Sequence, residues 1–381
     1  MADIQLHPGQ VHVGTPLPFD TFDAEGHLLL RKGFVIDDPQ QLLRLLERGM
    51  FREAGAQSPV LAAGPARQVD RSHKIVVIDR ILQVQADLET LLDEPTPEDF
   101  GVRLAQLAAR LQHAYGLDAD AAIASIQVCH AGRYSARRMV HGAILGELLL
   151  RESGADEAQR HSLACAALTM NMAMRELQDV LVMQRTPPDA AQMAVVHRHP
   201  AEGARQLRAL GVTDPLWLAI VEQHHETIDG RGYPAALAAG AICHAAQVLS
   251  VADRYGAMAT GRAYRAPALP NAVLRQLFLD KDKNVDGSLA LLLVKAVGIY
   301  PPGCLVELAN GDKAIVVKRT RSANHPVVRS VKTQRNLVLE QPRKHLSSEA
   351  AYAITRILPM AELGFEVDPK LLWDEGFEFE S

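Results

Sequence analysis

The chain has 381 residues and a formal net charge of −5 at pH 7. Hydrophobic residues make up 48% and charged residues 22%, which is ordinary globular usage and excludes a wholly disordered or fibrous chain. Mild acidity argues against a protein whose main task is gripping nucleic acid, because that needs a broad basic field. With 15 histidines against 4 isolated cysteines, imidazole chemistry is favoured over a disulfide scaffold or a cysteine-based zinc site.

The first residues, MADIQLHPGQVHVG, lack the basic and then apolar layout of a signal peptide. No apolar run reaches the ~20 residues that a membrane-spanning helix needs. We therefore expect a cytoplasmic protein without a membrane span. At roughly 150 residues per domain, the length predicts two or three domains.

Residues 1–55 predict a small β-rich N-terminal domain. Asp23–Gly26 is a turn between two runs of aromatic and branched residues, which indicates a hairpin. A short helix is expected from Asp38, with Pro39 at its first position. Residues 56–71 have small side chains, two prolines and no periodicity, which is typical of a linker.

The rest of the chain is predicted to be mainly helical. Residues 72–118 form a helical connector in this interpretation, because apolar side chains recur there at three- and four-residue steps, as in Ile78, Ile81, Leu82, Val84, Leu88 and Leu92. Residues 119–300 form the main helical domain. In the extension 301–381, Asn310-Gly311 lies between two branched runs and predicts a hairpin. The fold class is therefore mainly α: a helical bundle with a small β-rich N-terminal domain and a C-terminal β-hairpin.

The segment HHETIDGRGYP, residues 224–234, carries the strongest chemical signal. It follows a helix predicted to begin with Asp214 as N-cap and Pro215 at the first helical position. One stripe of this predicted helix carries Trp217, Val221, His224 and Ile228. Its polar side chains indicate a metal-ligand cluster or, taken alone, capping and surface groups: His224, His225, Glu226 and Asp229. Its glycines allow a tight turn and a close approach to a phosphate group.

Two neighbouring segments strengthen the interpretation as a metal site. Upstream, HRHPAEG places His199 before a proline. Downstream, VADRYGAM puts Asp253 in an apolar helical run, where an unpaired carboxylate is costly, so a metal or a strong donor is expected nearby. GRAYR then offers Arg262 and Arg265, whose fork geometry suits phosphate oxygens, with simple solvation as the alternative.

Together these segments resemble the HD-GYP family, a branch of the HD-domain metal-dependent phosphohydrolases that cleave cyclic di-GMP. The resemblance runs from Arg137 to about Val328 and rests on HHETIDGRGYP, HPAEG, VADRYGAMATGRAYR and YPPGCLVELANGDKAIVV. The gaps agree with the family without insertion, with 25 positions from His199 to His224 and 29 from His224 to Asp253. The resemblance implies an HD-domain-like helical fold, a divalent metal such as iron or manganese, and cyclic di-GMP as the ligand.

The resemblance also implies roles for individual residues. The metal ligands would be His141, His199, His224, His225 and Asp253. The substrate-binding residues would be Gly230, Gly232, Tyr233, Pro234, Arg262 and Arg265. For His141, which shares a stripe with two leucines, the alternative is a buried core histidine. For the GYP loop, the alternatives are fixing the shape of the loop and docking a diguanylate cyclase partner of the GGDEF type.

The His-Asp motif from which the HD family takes its name is absent from this chain. Some 29 positions before His199, where a His-Asp pair and a lysine are expected, stand Met170, Asn171 and Met174. A thioether is a poor ligand in an oxygen-rich site, and Asn171 offers a neutral carbonyl where a bridging anion is required. With Leu163 and Ala167, the two methionines form a predicted apolar helical stripe. We therefore predict a degenerate site with no assigned catalytic residue that holds a single ion or none.

Three functional hypotheses remain open on the sequence. The first is an HD-GYP-type protein of cyclic di-GMP signalling that binds the nucleotide or a GGDEF-type partner with little or no turnover. The second is an active phosphodiesterase that hydrolyses cyclic di-GMP to pGpG or GMP with a reduced metal set. The third is a structural module that binds neither metal nor nucleotide. A homodimer through the helices of 72–117 is a further expectation, and nucleic acid is not expected as a partner.

Overall fold

The chain divides into two units, Met1–Asp70 and Arg71–Ser381. The structure is a computed structural model, and it describes residues 4–5, 21–22, 28–30, 50–51, 77–263, 265–280 and 284–373. The predicted helix from Asp38 and the predicted linker over 56–71 lie outside these residues.

The N-terminal unit contains a four-stranded antiparallel sheet with the strand order β1-β4-β2-β3. Its strands are β1 (Ile4–Gln5), β2 (Thr21–Phe22), β3 (Leu28–Leu30) and β4 (Met50–Phe51). Strands β2 and β3 pair with Thr21 opposite Leu30, which confirms the pairing of the predicted hairpin. The Thr21 hydroxyl accepts the Leu30 N–H at 3.0 Å and donates to the Leu30 carbonyl at 3.2 Å.

The second unit is mainly helical, as predicted. Its helices in chain order are α1 (Val77–Asp93), α2 (Phe100–Leu117), α3 (Ala119–Val128), α4 (Tyr134–Glu152), α5 (Glu157–Ala167), α6 (Arg175–Met183), α7 (Ala190–Ala209), α8 (Pro215–Gln223), α9 (His244–Ala259), α10 (Pro270–Leu279) and α11 (Gly287–Val297). One hydrophobic core contains residues from every one of these helices except α6. The helices predicted as a connector therefore share one core with the rest of the bundle.

Helix α4 lies at the centre of this core. Sixteen of its 19 residues are buried, as expected for a helix without a continuous polar face. Gly146 lets α5 approach closely, because a Cβ at this position would collide with the Leu163 side chain. The burial of α4 fixes the direction of every functional side chain that it carries.

Two predicted helical stripes end earlier than their apolar spacing indicated. Helix α5 stops at Ala167, and the chain turns before a short 3-10 segment over Met172–Met174. Thr169 promotes this end, since its hydroxyl donates to the Cys165 carbonyl at 2.8 Å and accepts the Trp217 indole N–H at 2.8 Å. Met170 and Met174 are nevertheless buried, so the predicted core packing is confirmed although the predicted continuous helix is wrong.

Helix α8 begins as predicted but is shorter than its stripe. Asp214 caps it, with its carboxylate accepting the N–H groups of Leu216 and Trp217 at 2.8 and 3.2 Å. The helix ends at Gln223, so His224 follows the last helical residue and Ile228 lies beyond the helix.

The C-terminal part forms a five-stranded antiparallel sheet in the order β8-β7-β6-β5-β9. Its strands are β5 (Leu305–Leu308), β6 (Lys313–Lys318), β7 (Val327–Lys332), β8 (Val338–Leu346) and β9 (Ile354–Leu358). The predicted hairpin is β5–β6, with Gly311 at a φ of +83° in its turn. The sheet is larger than this hairpin because β7 and β8 extend it on one side and β9 pairs with β5 on the other.

None of the helices in the described part of the chain has both the length and the apolar character needed to cross a bilayer.

Truncating the centre of the core should lower the stability of the helical unit. We expect Leu145→Ala, at a fully buried position on α4, to reduce the free energy of unfolding by about 2–5 kcal/mol, because it leaves a cavity. Val102→Ala is the matched control, since Val102 is 59% exposed on α2 and its truncation should cost less than about 0.5 kcal/mol. Urea unfolding followed by circular dichroism measures both, and equal losses would contradict the described core.

Candidate metal centre and adjoining cleft

Three histidines from two adjacent helices meet at one point. His199 lies in α7, and His224 and His225 follow directly after α8. Each histidine offers one ring nitrogen as a ligand atom, and these three nitrogens all lie within 4.8 Å of one another. The two helices approach closely at Gly203, where a Cβ would lie 3.4 Å from the Val221 side chain. The structure therefore brings three of the five predicted metal ligands together.

The rings of His199 and His224 are oriented by the backbone of their own helices. The Nδ1 of His199 lies 2.6 Å from the Val196 carbonyl, and the Nδ1 of His224 lies 2.7 Å from the Val221 carbonyl. Because a carbonyl can only accept, each Nδ1 carries the proton and each Nε2 carries a lone pair. Such a hydrogen bond to the distal ring nitrogen is the usual support of a metal-bound histidine.

The two Nε2 atoms face each other at 3.2 Å. Two lone pairs at this distance repel unless a cation lies between them. Two nitrogens that each lie ~2.1 Å from one metal ion are about 3.0–3.4 Å apart for ligand angles between 90° and 109°. The arrangement of His199 and His224 therefore fits a shared divalent ion.

Burial keeps all three imidazoles neutral, which is the form that binds metal. Desolvation, followed by the neighbouring His224, lowers the pKa of His199 to about 3. Desolvation also lowers the pKa of His224, and it holds the pKa of His225 well below its usual range with help from the other two rings. The set is thus ready to bind a cation at neutral pH.

The GYP loop covers one side of this cluster. The Tyr233 ring stacks on His225 with 4.7 Å between centroids and lies 4.8 Å from the centroid of His197. The Tyr233 N–H donates to the His225 carbonyl at 3.2 Å. Gly232 is required by the loop itself, since a Cβ there would collide with the backbone of Glu226 and Thr227. This close approach is to the backbone of its own loop, and an approach of the loop glycines to a phosphate group stays a prediction.

Glu226 and Asp229 serve this loop as structural ties. The buried Glu226 carboxylate accepts the N–H groups of Ala235 and Leu237 at 2.7 and 2.9 Å. Asp229 accepts the Thr227 hydroxyl at 2.6 Å, and Gly230 follows it at a φ of +72°. Both carboxylates are outside the histidine group, so their suggestion as metal ligands is wrong for the described site.

A cleft of about 420 Å³ opens beside the cluster. Its lining residues are His225, Thr227, Asp229, Arg231, Gly232, Tyr233, Arg254 and Asn284. Within the cleft, Arg231 Nε lies 3.8 Å from the Asp229 carboxylate, while none of the ion pairs between described residues includes Arg254, on α9. The acidic side chain of the cleft, Asp229, is already bound within the loop, so the wall near His225 carries an excess of positive charge.

Asp253 and His141 are not part of the compact histidine group. Asp253 on α9 pairs with the Arg138 guanidinium, which also donates from Nη2 to the Asp253 carbonyl at 2.7 Å. His141 on α4 is 4% exposed and is not within the compact ligand group. Desolvation and then Arg138 lower its pKa to about 3, as expected for a buried neutral histidine.

The predicted phosphate-binding arginines lie away from the cleft lining. Arg262 and Arg265 form a tight turn, with the Arg262 N–H donating to the Arg265 carbonyl at 2.8 Å. The Arg265 guanidinium donates to the Ala257 carbonyl at 2.6 Å, near the C-terminus of α9. Neither residue is among those that line the cleft, and their role in substrate binding stays a prediction.

Two arginines near the site, Arg138 and Arg254, were missed by motif reasoning. Arg138 sits in the apolar run of α4, where an unpaired charge is as costly as it is for Asp253. This cost could have indicated Arg138 from the sequence, because a buried arginine and a buried aspartate each need an opposite charge nearby. Arg254 adjoins the motif residue Asp253 and carries no pattern of its own.

Residues 118–289 match the family described as HD domain. A cyclic di-GMP phosphodiesterase of Pseudomonas aeruginosa is 30% identical over 222 residues, which are 51% of this chain and 53% of the relative. The cyclic di-GMP phosphodiesterase PdeB of Borreliella burgdorferi is 22% identical over 187 residues, 49% of each chain. The chain thus spans about half the length of these curated relatives.

A solved structure supports the same fold. A HDG"Y"P protein from Bdellovibrio bacteriovorus aligns with a TM-score of 0.52 and 17% identity, covering 76% of this chain and 97% of that one. The arrangement of helices is therefore HD-domain-like, as expected from the motifs.

The buried His141 should make stability depend on pH in the metal-free, chelated protein. Its pKa falls from 6.5 to about 3 on folding, so the folded state binds fewer protons than the unfolded state below pH 6.5. The stabilisation is complete above 6.5 and is lost progressively as the pH falls toward 3. At pH 5 the loss from this residue is about 2 kcal/mol.

We expect His141→Leu to reduce the drop in unfolding free energy between pH 7 and pH 5 by about 2 kcal/mol. The control is His325→Leu, at an exposed position in the C-terminal part, which should leave this drop unchanged. Urea titrations at the two pH values measure it. An unchanged drop in His141→Leu would contradict the buried neutral state.

Proposed function

We propose that the chain is a member of the HD-GYP family that binds cyclic di-GMP beside a single divalent ion with little or no turnover. The observation that carries this proposal is a complete three-histidine cluster next to a site that lacks its acidic bridging residue. The relatives of this chain are named as cyclic di-GMP phosphodiesterases, which supports the choice of nucleotide.

The histidine cluster would hold the ion. His199, His224 and His225 supply three neutral nitrogens, and iron, manganese and similar ions accept imidazole ligands. Such an ion, when bound, polarises phosphoryl oxygens as a Lewis acid. The protein's own part is to hold the rings in place through Val196 and Val221 and to shield one side with Tyr233.

The missing pair explains the low turnover in this proposal. Met170 is fully buried, and its Sδ would lie 3.5 Å from a Cβ at Gly142, so it fills space between helices. Asn171 is 1% exposed, and its Oδ1 accepts no hydrogen bond from the described residues. Neither side chain supplies the anion that would activate water between two metals, and Met174 supplies no positive charge.

The cleft supplies the binding surface for the nucleotide in this proposal. Its volume of about 420 Å³ lies in the usual range for small-molecule sites. Arg254 and Arg231 offer guanidinium groups for phosphate oxygens, and the Tyr233 ring lies on the same wall as His225. Gly230, Gly232 and Pro234 shape the loop that carries this wall, and Arg262 and Arg265 remain proposed phosphate contacts from outside the lining.

An active phosphodiesterase with a reduced metal set is the second candidate. The observation in its favour is that the histidine cluster is intact and that the relatives are named as hydrolases. The two candidates differ in one measurable quantity, the rate at which pGpG or GMP is formed.

A GGDEF-type partner that docks on the GYP loop stays part of the proposal. Pro234, Ala235 and Ala236 are exposed, so this part of the loop is accessible to such a partner. Dimerisation through the helices of 72–117 stays a prediction with less support. The dimer was predicted from the apolar stripes of these helices. Residues of those stripes, such as Leu88 and Leu104, are instead buried in the core of the same chain.

Removing one histidine should empty the metal site. We expect His224→Ala to lower the bound Mn²⁺ from about one ion per chain to less than a tenth of that, because two ligands remain. His325→Ala, an exposed histidine outside the cluster, is the control and should keep the ion. Mass-spectrometric metal analysis of protein purified without chelators decides, and full occupancy in His224→Ala would refute the proposed site.

Cyclic di-GMP should bind without being consumed at ordinary enzyme rates. We expect calorimetry with Mn²⁺ to show binding, while chromatography detects product at a rate several powers of ten below the usual 1–10³ s⁻¹. Product formation within that usual range, lost in His224→Ala, would replace the first candidate with the active phosphodiesterase.

Arg254 should contribute directly to nucleotide affinity. We expect Arg254→Gln to weaken cyclic di-GMP binding about ten- to a hundredfold, the loss of one charge-assisted hydrogen bond to phosphate. Arg335→Gln removes the same charge at an exposed turn outside the cleft and should leave the Kd unchanged. Equal Kd values for the two variants would exclude Arg254 from the binding surface.

A further inference from the structure

A buried ion pair joins helices α4 and α9 next to the histidine cluster. The side chains of Arg138 and Asp253 are 3% and 12% exposed. The same nitrogen, Nη2 of Arg138, donates to the Asp253 carboxylate and to its main-chain carbonyl at 2.7 Å. Arg138 therefore holds both the charge and the backbone of the residue that the family resemblance assigned to a metal.

The space for this guanidinium is built into α9. A Cβ at Gly256 would collide with Nη1 of Arg138, and the same point lies 3.9 Å from Cβ of His141. Any larger residue at 256 would displace the guanidinium from its position beside Asp253. Gly256 therefore provides the space that the Arg138 guanidinium occupies.

The pair lies within electrostatic reach of two of the three histidines. The Asp253 carboxylate acts on His224, and the Arg138 guanidinium acts on His225. The remaining side chains on this side are poor cation ligands: His141 is held outside the compact group, and Met170 and Asn171 offer a thioether and an amide. A second divalent ion here would meet a guanidinium and no free carboxylate.

We propose that Arg138 is a built-in cation that takes the place of a second metal ion by neutralising Asp253, so that the protein binds one divalent ion, at the histidines alone. The part of this inference that concerns that one ion rests on the proposed function. A guanidinium is a permanent cation in proteins, so the neutralisation does not depend on metal supply.

The physical reason is competition for one carboxylate. In a buried site, the attraction between Asp253 and a fixed monovalent cation is strong, and a divalent ion would also be repelled by that cation at short range. Removing the positive charge at 138 leaves an unpaired buried carboxylate beside neutral imidazoles, which is an attractive site for a cation. A second ion should then bind.

The test counts Mn²⁺ ions in the full chain by equilibrium dialysis with metal analysis. We expect one ion in the wild type and two in Arg138→Ala. Arg138→Lys is the matched control that keeps the charge, and it should still bind one. The double variant Arg138→Ala/Asp253→Asn should return to one, because the gained ion depends on the carboxylate.

Asp253→Asn in the otherwise native chain provides a second test that does not depend on the folding of Arg138→Ala. We expect the visible spectrum of the Co²⁺ form to stay the same, because Asp253 is not a ligand, while the unpaired Arg138 guanidinium weakens Mn²⁺ binding. A changed Co²⁺ spectrum would overturn the proposal. So would two ions in the wild type, or a folded Arg138→Ala chain that still binds one.

The outcome for the histidine site is read separately. A wild-type chain without any ion would refute the proposed metal site at His199, His224 and His225. The inference about Arg138 would then still be decided by whether Arg138→Ala gains an ion that Asp253→Asn removes.

Discussion

The contact between α7 and α8 sets the distance on which the whole site depends. Gly203 and Val221 bring the helices together, and each helix uses a main-chain carbonyl to turn one imidazole toward the other. The resulting 3.2 Å between two Nε2 atoms is too short for two neutral acceptors and suitable for two ligands of one ion. The GYP loop, with Tyr233 and one wall of the cleft, begins where α8 ends.

Local signals in the sequence were enough to predict much of the fold and half of the site. Asp214 and Pro215 marked the start of α8, Asn310-Gly311 marked the β5–β6 turn, and the motif spacing predicted that His199 and His224 lie together. Each of these signals acts between residues that are near in sequence or share a known motif. The end of α5 at Ala167 was missed because it depends on Trp217 donating to Thr169 from another helix.

Long-range pairs account for most of what sequence reasoning could not reach. Arg138 and Asp253 are 115 positions apart, and only the packing of α4 against α9 shows that they neutralise each other. The family resemblance assigned His141 to a metal, and the structure places it outside the ligand group while Arg138, one turn earlier, faces Asp253. In the C-terminal sheet, the pairing of Leu305 with Leu358 is likewise beyond local patterns.

The interlock of Gly256 with Arg138 constrains the order in which these positions could change. A larger side chain at 256 cannot be accommodated while the arginine keeps its position. Losing Arg138 first would leave Asp253 buried without its partner, at a substantial cost in stability. Each single step is therefore unfavourable by itself, so we expect Gly256, Arg138 and Asp253 to be retained or replaced together in evolution.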